Sequence, residues 1–284
     1  MTHPTGIEVG RILVPTDGSD GASAALDHAI TVAAATNAEI LLLAVVNPYG
    51  MSSVTERKEV EAELEDVVTD AAARVQDAGV AVSTAVEAGF PHEEILNAVD
   101  DHKIDMISMG THGRSGLQRF VIGSVAEKVV RLSPVPVLTV RVDAAGERPY
   151  REIVVPTDGS DAAMPAERWS VDLAAEFGAD LNALSVVPEG PVRSSETRAA
   201  YEEVAQSAVE RVAARGSEFG VDVAEAIEHG VPHREIIDHC TEVDADLVVL
   251  GTHGRTGVER FVLGSVAEKV VRLSETPVLV VPSK

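Results

Sequence analysis

Apolar and polar positions along this chain follow two alternating rhythms. Residues 10–16 form a short apolar run ending in Pro15, Thr16 and Asp17 before Gly18, which reads as a buried strand and a turn. Ala22, Ala25, Leu26, Ala29, Ile30 and Ala33 then keep the spacing of one helix face. Residues 39–46, EILLLAVV, are almost continuously apolar, as a strand covered on both faces should be. Val60, Leu64, Val67, Ala71 and Val75 carry a helical stripe through an acidic stretch. Residues 80–87 predict a third strand, and Pro91 suits the first turn of a short helix. Residues 104–109 predict a fourth strand, followed by a glycine-rich loop and a helix from Ser124. Residues 136–140 predict a fifth, with Pro136 at its entry, where a missing N–H does least harm.

The whole series occurs twice. Arg11–Asp20 matches Glu152–Asp161, and Gly89–Ile95 matches Gly230–Ile236, both at an offset of 141 residues. A unit of that length is too long for a solenoid repeat and predicts two homologous domains, 1–143 and 144–284, joined by a polar linker near 143–149. Alternating strands and helices predict an α/β domain with a five-stranded parallel sheet in each half. Ligands of such sheets bind beyond the carboxyl ends of the strands, where the strand order reverses. Asp17 follows the first strand, Val45 lies at the end of the second and Gly110 follows the fourth, so all three are expected at one sheet edge.

The most repeated stretch is the glycine-rich loop. Residues 110–133 and 251–274 agree at 20 of 24 positions, whereas 47–60 and 188–201 agree at two of 14. Gly110 ends a strand, where a reversal can call for a left-handed backbone. Gly113 is expected to let the backbone approach an anion with no Cβ in the way. Gly123 and Ser124 open a helix whose unpaired N–H groups and dipole favour negative charge. Ser124 with Glu127, and Ser265 with Glu268, read as capping boxes.

Composition narrows the ligand class. The formal charge is −23, and only five of the 23 basic residues are lysine. Residues 1–143 hold 10 basic and 21 acidic side chains and residues 144–284 hold 13 and 25, so the excess lies in both halves. Such a surface argues against nucleic acid and anionic membranes, which need basic surface. It is similar to that of halophilic proteins from high-salt cytoplasm. No apolar run approaches the roughly 18 residues of a membrane helix, and the first residues lack the pattern of a signal peptide. The single cysteine, Cys240, fits a reducing, cytoplasmic setting and reads as a buried packing residue. There is neither a P-loop nor a Gly-x-Gly-x-x-Gly after the first strand, and no cluster has metal-ligand spacing.

Gly110-x2-Gly113-x9-Gly123-Ser124 and Gly251-x2-Gly254-x9-Gly264-Ser265, with the opening Val-Pro-Thr-Asp and the closing Pro-Val-Leu, resemble the ATP-binding signature of the universal stress proteins. The resemblance covers essentially the whole chain, twice. It implies two tandem Rossmann-like domains of the adenine nucleotide alpha hydrolase-like kind, with helices on both faces of each sheet. It also implies ATP, AMP or ADP as ligand, with magnesium carried by the nucleotide. Pro15, Thr16 and Asp17, and Pro156, Thr157 and Asp158, would line the site. Asp17 and Asp158 would lie near the ribose or the metal. Val45 and Val186 would present backbone groups to the adenine. Gly110, Gly113, Gly123, Ser124 and Val125, and Gly251, Gly254, Gly264, Ser265 and Val266, would hold the phosphates, flanked by His112, Arg114, His253 and Arg255. The family commonly dimerises through its fifth strand, so 133–141 and 274–281 could pair within one chain as a pseudo-dimer, and two chains could form a homodimer.

Two functions compete. One is a regulatory or sensing module whose partner binding depends on a bound nucleotide. The other is a slow ATPase or nucleotidyl transferase, which needs a placed base or nucleophile. His112, Asp17 and their copies are the sole candidates, and none belongs to a recognisable triad, so the module is the favoured expectation.

Overall fold

The computed structural model describes residue 6 and residues 8–51, 53–113, 122–144, 150–189, 195–254 and 263–283. The chain divides into two compact units, Glu8–Arg148 and Pro149–Lys284 together with Met1–Ile7. In the first unit the order is β1 Arg11–Pro15, α1 Asp20–Thr36, β2 Glu39–Val46, α2 Val54–Asp77, β3 Val82–Ala88, α3 Pro91–Asp101, β4 Met106–Gly110, α4 Ser124–Leu132 and β5 Val137–Val140. The second unit repeats it with β6 Glu152–Pro156, α5 Met164–Phe177, β7 Asp180–Pro188, α6 Ser195–Phe219, β8 Val223–Gly230, α7 Pro232–Glu242, β9 Leu247–Gly251, α8 Ser265–Leu273 and β10 Val278–Val281. Among the described residues no helix is long and apolar enough to cross a membrane.

All pairings within each unit are parallel, in the orders β3-β2-β1-β4-β5 and β8-β7-β6-β9-β10. The chain moves outward from β1 to β3, then crosses back to the other side of β1. Right-handed crossovers therefore place α1 and α2 on one face and α3 and α4 on the other. The packing agrees: α1 lies on β1, β4 and β5 beside α2, and α3 lies beside α4. Because both faces are covered, Ile12, Leu13 and Val14 of β1 and Ile153, Val154 and Val155 of β6 are fully buried. Cys240 is likewise buried, and burial pushes its thiol up to about 12, so it serves packing.

The third and fourth strands start two residues later than the apolar runs at 80 and 104 predict. Helix ends explain the shift. Asn37, Gly79 and Lys103 are left-handed, and the N–H of the next residue bonds back five positions: Ala38 to Ala33, Val80 to Val75, Ile104 to Val99. Gly178, Gly220 and Asp244 do the same in the second unit, through Ala179, Val221 and Ala245. This is the Schellman closure, in which an apolar residue seals the helix before the strand begins. The strand then starts on a fixed floor: Asp105 Oδ2 accepts the N–H groups of Gly10 at 2.8 Å and Arg11 at 2.9 Å, and Asp246 does so for Arg151 and Glu152.

Leu13 is fully buried in β1, the central strand of its sheet. Leu13→Ala is expected to cost about 2–5 kcal/mol of stability, read from the urea midpoint of unfolding.

Candidate functional site

Beyond the end of β1 the strand order reverses, and a cavity of about 370 Å³ opens there in the first unit. The turn after β1 supplies Pro15, Thr16, Asp17 and Ser19, β2 supplies Leu43 and Val45, and β4 with its loop supplies Met109 through Gly113. Gly123, Ser124, Val125 and Ala126 close it from the start of α4, with Pro91 and Ile95 of α3 and Ala22 of α1. The edge expected for Asp17, Val45 and Gly110 is thus a single enclosure.

Backbone alternation aims Val45 into it. The Thr16 N–H takes the Leu43 carbonyl at 2.9 Å, on the β1 side of β2, and the Gly89 N–H takes the Val46 carbonyl at 3.0 Å, on the β3 side. Val45 shares the parity of Leu43, and β1 has ended, so its N–H and C=O face the open space. At the opposite wall the Gly123 N–H returns to the Thr111 carbonyl at 2.7 Å, which anchors the start of α4 at the sheet edge. Ser124, Val125 and Ala126 occupy the first turn, where N–H groups have no intrahelical acceptor, and all three line the cavity.

Two readings of the loop need correction. Ser124 and Ser265 do not form capping boxes. Gly123 and Gly264 are the N-cap residues and no side chain caps either helix, because the serines have already entered the first turn. Their hydroxyls are therefore not spent on the helix. Gly110 and Gly251 do not have a left-handed backbone, whereas Gly18 and Gly159 do, at φ 79° and 78°. Gly110 is required by contact: a Cβ there would lie 2.5 Å from the carbonyl carbon of Gly21 in α1. At Gly113 a Cβ would lie 2.5 Å from Asp17 Oδ2, and at Gly254 the same distance from Asp158 Oδ2. These glycines make room for the carboxylate, which in turn accepts the N–H of Ser19 or Ser160 at 3.0 Å through Oδ1.

His112 lines the cavity, and its Nδ1 pairs with Thr111 Oγ1 at 3.1 Å; His253 Nδ1 pairs with Thr252 Oγ1 at 2.9 Å. In both rings Nε2 is buried, and among the described residues it has no partner. Arg114 and Arg255 lie outside the described residues. His92, in the first turn of α3, reaches Lys128 Nζ at 3.4 Å. Residues missed by the reading of the chain are Ser19, Ala22, Leu43, Pro91, Ile95, Met109, Thr111 and Ala126. The parity of Leu43 with Val45, and the repeated Gly-x-Pro-His-x-Glu-Ile, could have found three of them.

The second unit repeats the frame with Pro156, Thr157, Asp158, Val186, Gly251, His253, Gly254, Gly264, Ser265 and Val266. Thr157 takes the Leu184 carbonyl at 2.8 Å and Gly264 returns to Thr252 at 2.8 Å. Its first helix starts later, at Met164, because Pro165 fits only the first turn. The model of the universal stress protein family matches residues 8–141 and 149–282. The chain belongs to the universal stress protein family. The universal stress protein MJ0531 of Methanocaldococcus jannaschii is 39% identical over 143 residues, 48% of this chain and 84% of its own length. A universal stress protein of Mycolicibacterium smegmatis is 28% identical over 95% of this chain and 96% of its own. The crystal structure of a universal stress protein from Archaeoglobus fulgidus matches with a TM-score of 0.76, 26% identity and 97% coverage of both chains. This universal stress protein is therefore a tandem one, with the family's α/β fold in each half.

The packing at Gly110 makes a sharp expectation. Gly110→Val drives a branched side chain into the backbone of α1 and should destabilise the protein by about 1–3 kcal/mol or more, seen as a lowered melting temperature. An unchanged melting temperature would contradict the close approach.

Proposed function

We propose that each unit of this universal stress protein binds an adenine nucleotide, ATP foremost, and that the protein acts as a regulatory or sensing module. The observation that carries this reading is the pairing of two unlike walls in one cavity. Three first-turn N–H groups of α4 face it at one side, and the Val45 peptide faces it at the other. A helix N-terminus suits a phosphate chain. A strand peptide with an open N–H and C=O suits the edge of a base, and Leu43, Ile95 and Met109 give apolar cover. The volume is that of a small-ligand site.

The donor set also fits magnesium brought by the nucleotide. Mg²⁺ is commonly held by one or two carboxylates together with phosphate oxygens, and Asp17 is a single carboxylate in the cavity wall. Asp17 and Asp158 would hold the ion, which would neutralise phosphate charge. The chain's own residues would position the anion through backbone N–H groups, with Leu43, Ile95 and Met109 along the wall.

Calorimetry in high salt with magnesium is expected to show ATP binding to the wild type. Gly113→Val with Gly254→Val pushes the Asp17 and Asp158 carboxylates out of place. It should weaken binding at least about tenfold, or about 1.4 kcal/mol, with an unchanged circular dichroism spectrum. Wild-type protein that binds no adenine nucleotide under these conditions would falsify the reading.

A further inference from the structure

The two units differ at one buried position that bears directly on the site. In the second unit Thr157 Oγ1 donates to Glu167 Oε1 at 2.6 Å. Arg211 of α6 grips the same carboxylate with both arms, Nε to Oε2 at 2.8 Å and Nη2 to Oε1 at 2.5 Å. Glu167 is buried at 4% exposure, so its charge depends on this partner. Thr157 Oγ1 also accepts the Gly159 N–H at 3.1 Å, and Thr157 is itself buried. Its hydroxyl hydrogen is therefore spent.

At the offset of 141 the first unit has Leu26 in place of Glu167 and Asp70 in place of Arg211. Leu26 is buried and apolar, with nothing to accept a hydrogen bond. Thr16 Oγ1 accepts the Gly18 N–H at 3.3 Å, and among the described residues no acceptor takes its hydroxyl hydrogen. Thr16 is half-buried and lines the cavity. The serine two positions after the aspartate diverges too: Ser160 Oγ donates to Asp158 Oδ1 at 2.6 Å, while Ser19 Oγ accepts the Ala22 N–H as the cap of α1. The late start of α5 at Met164 releases Ser160 from the capping role.

We propose that Glu167 and Arg211 are specificity-determining residues that make the two nucleotide sites unequal. They withdraw the Thr157 hydroxyl from the second site, while Thr16 gives its hydrogen to the ligand in the first, so the first unit fills before the second. This rests on the nucleotide reading above. The lost donor is one hydrogen bond to an acceptor atom of the ligand, which corresponds to about a two- to twelvefold difference in affinity. Thr16 sits between Pro15 and Asp17, on the same turn as the carboxylate, so the acceptor it serves lies on the ribose or on the phosphate nearest to it.

The test is titration calorimetry of the full chain with ATP and magnesium in high salt. The wild type should show two classes of site. Thr16→Val should weaken the tighter class alone and bring the two together. Glu167→Leu with Arg211→Asp, which carries the first unit's residues into the second, should tighten the weaker class toward the other. A thermal melt of each variant checks that it is folded. Two equal sites in the wild type, or an unchanged tight class in Thr16→Val, would overturn the proposal while leaving nucleotide binding intact. Absence of any binding overturns the nucleotide reading, and this proposal with it.

Discussion

One hydrogen bond in each unit holds the site together. The Gly123 N–H meets the Thr111 carbonyl at 2.7 Å, and the Gly264 N–H meets the Thr252 carbonyl at 2.8 Å. The residue that caps α4 is thereby tied to the residue that follows β4. That tie fixes the first turn of α4 at the edge of the sheet, with its N–H groups facing the ends of β1 and β2. Gly123 has an ordinary extended backbone, φ −64° and ψ 147°, so it is not chosen for conformation. A Cβ there would come within 3.1 Å of the very carbonyl it bonds to, tighter than most such contacts.

The same economy of space governs the rest of the edge. Gly110 allows β4 to lie against the first turn of α1, and Gly113 allows the loop to lie against the Asp17 carboxylate. The glycines are therefore structural partners of one another and of the aspartate. A ligand would meet the result of this packing: a carboxylate held by Ser19, a helix start whose first-turn N–H groups have no intrahelical acceptor, and His112 in the wall. The imidazole is fixed by the adjacent threonine, which limits how it can turn.

The duplicated frame carries unequal detail. Each unit ties its long second helix to its first, but with different pairs. Arg74 of α2 bonds to Ser23 and Asp27 of α1, whereas Arg211 and Arg215 of α6 reach the buried Glu167 and Asp172 of α5. Burial opposes the ionised form of Asp172 and raises its pKa, with Arg215 pulling the other way. The hydrogen bond to Glu167 holds the Arg211 guanidinium above its ordinary value. Among the described residues, this lacing reaches the threonine before the aspartate in the second unit alone, from Glu167 to Thr157.

Much of the molecule was legible along the chain, because strand and helix periodicities and a repeat of 141 residues are local or additive signals. The carboxyl edge of the sheet and the place of Asp17, Val45 and Gly110 on it follow from parallel connectivity, whereas the strand order comes from the pairing of distant segments. What the chain could not disclose were contacts between segments distant in sequence. Ser124 with Glu127 has the letters of a capping box, yet the bond from Gly123 to Thr111 sets the helix start one residue earlier than such a box needs. The need for glycine at 110 and 113 comes from α1 and Asp17, some 90 residues away, not from local turn geometry. The substitution of Leu26 by Glu167 is visible in the aligned halves, but its reach to Thr157 depends on how α5 and α6 pack. Sequence by itself determined the elements, the duplication and the residues that meet at the edge. Tertiary structure alone decided which of their polar groups face a ligand and which are consumed by the protein, because that division depends on distances across the fold.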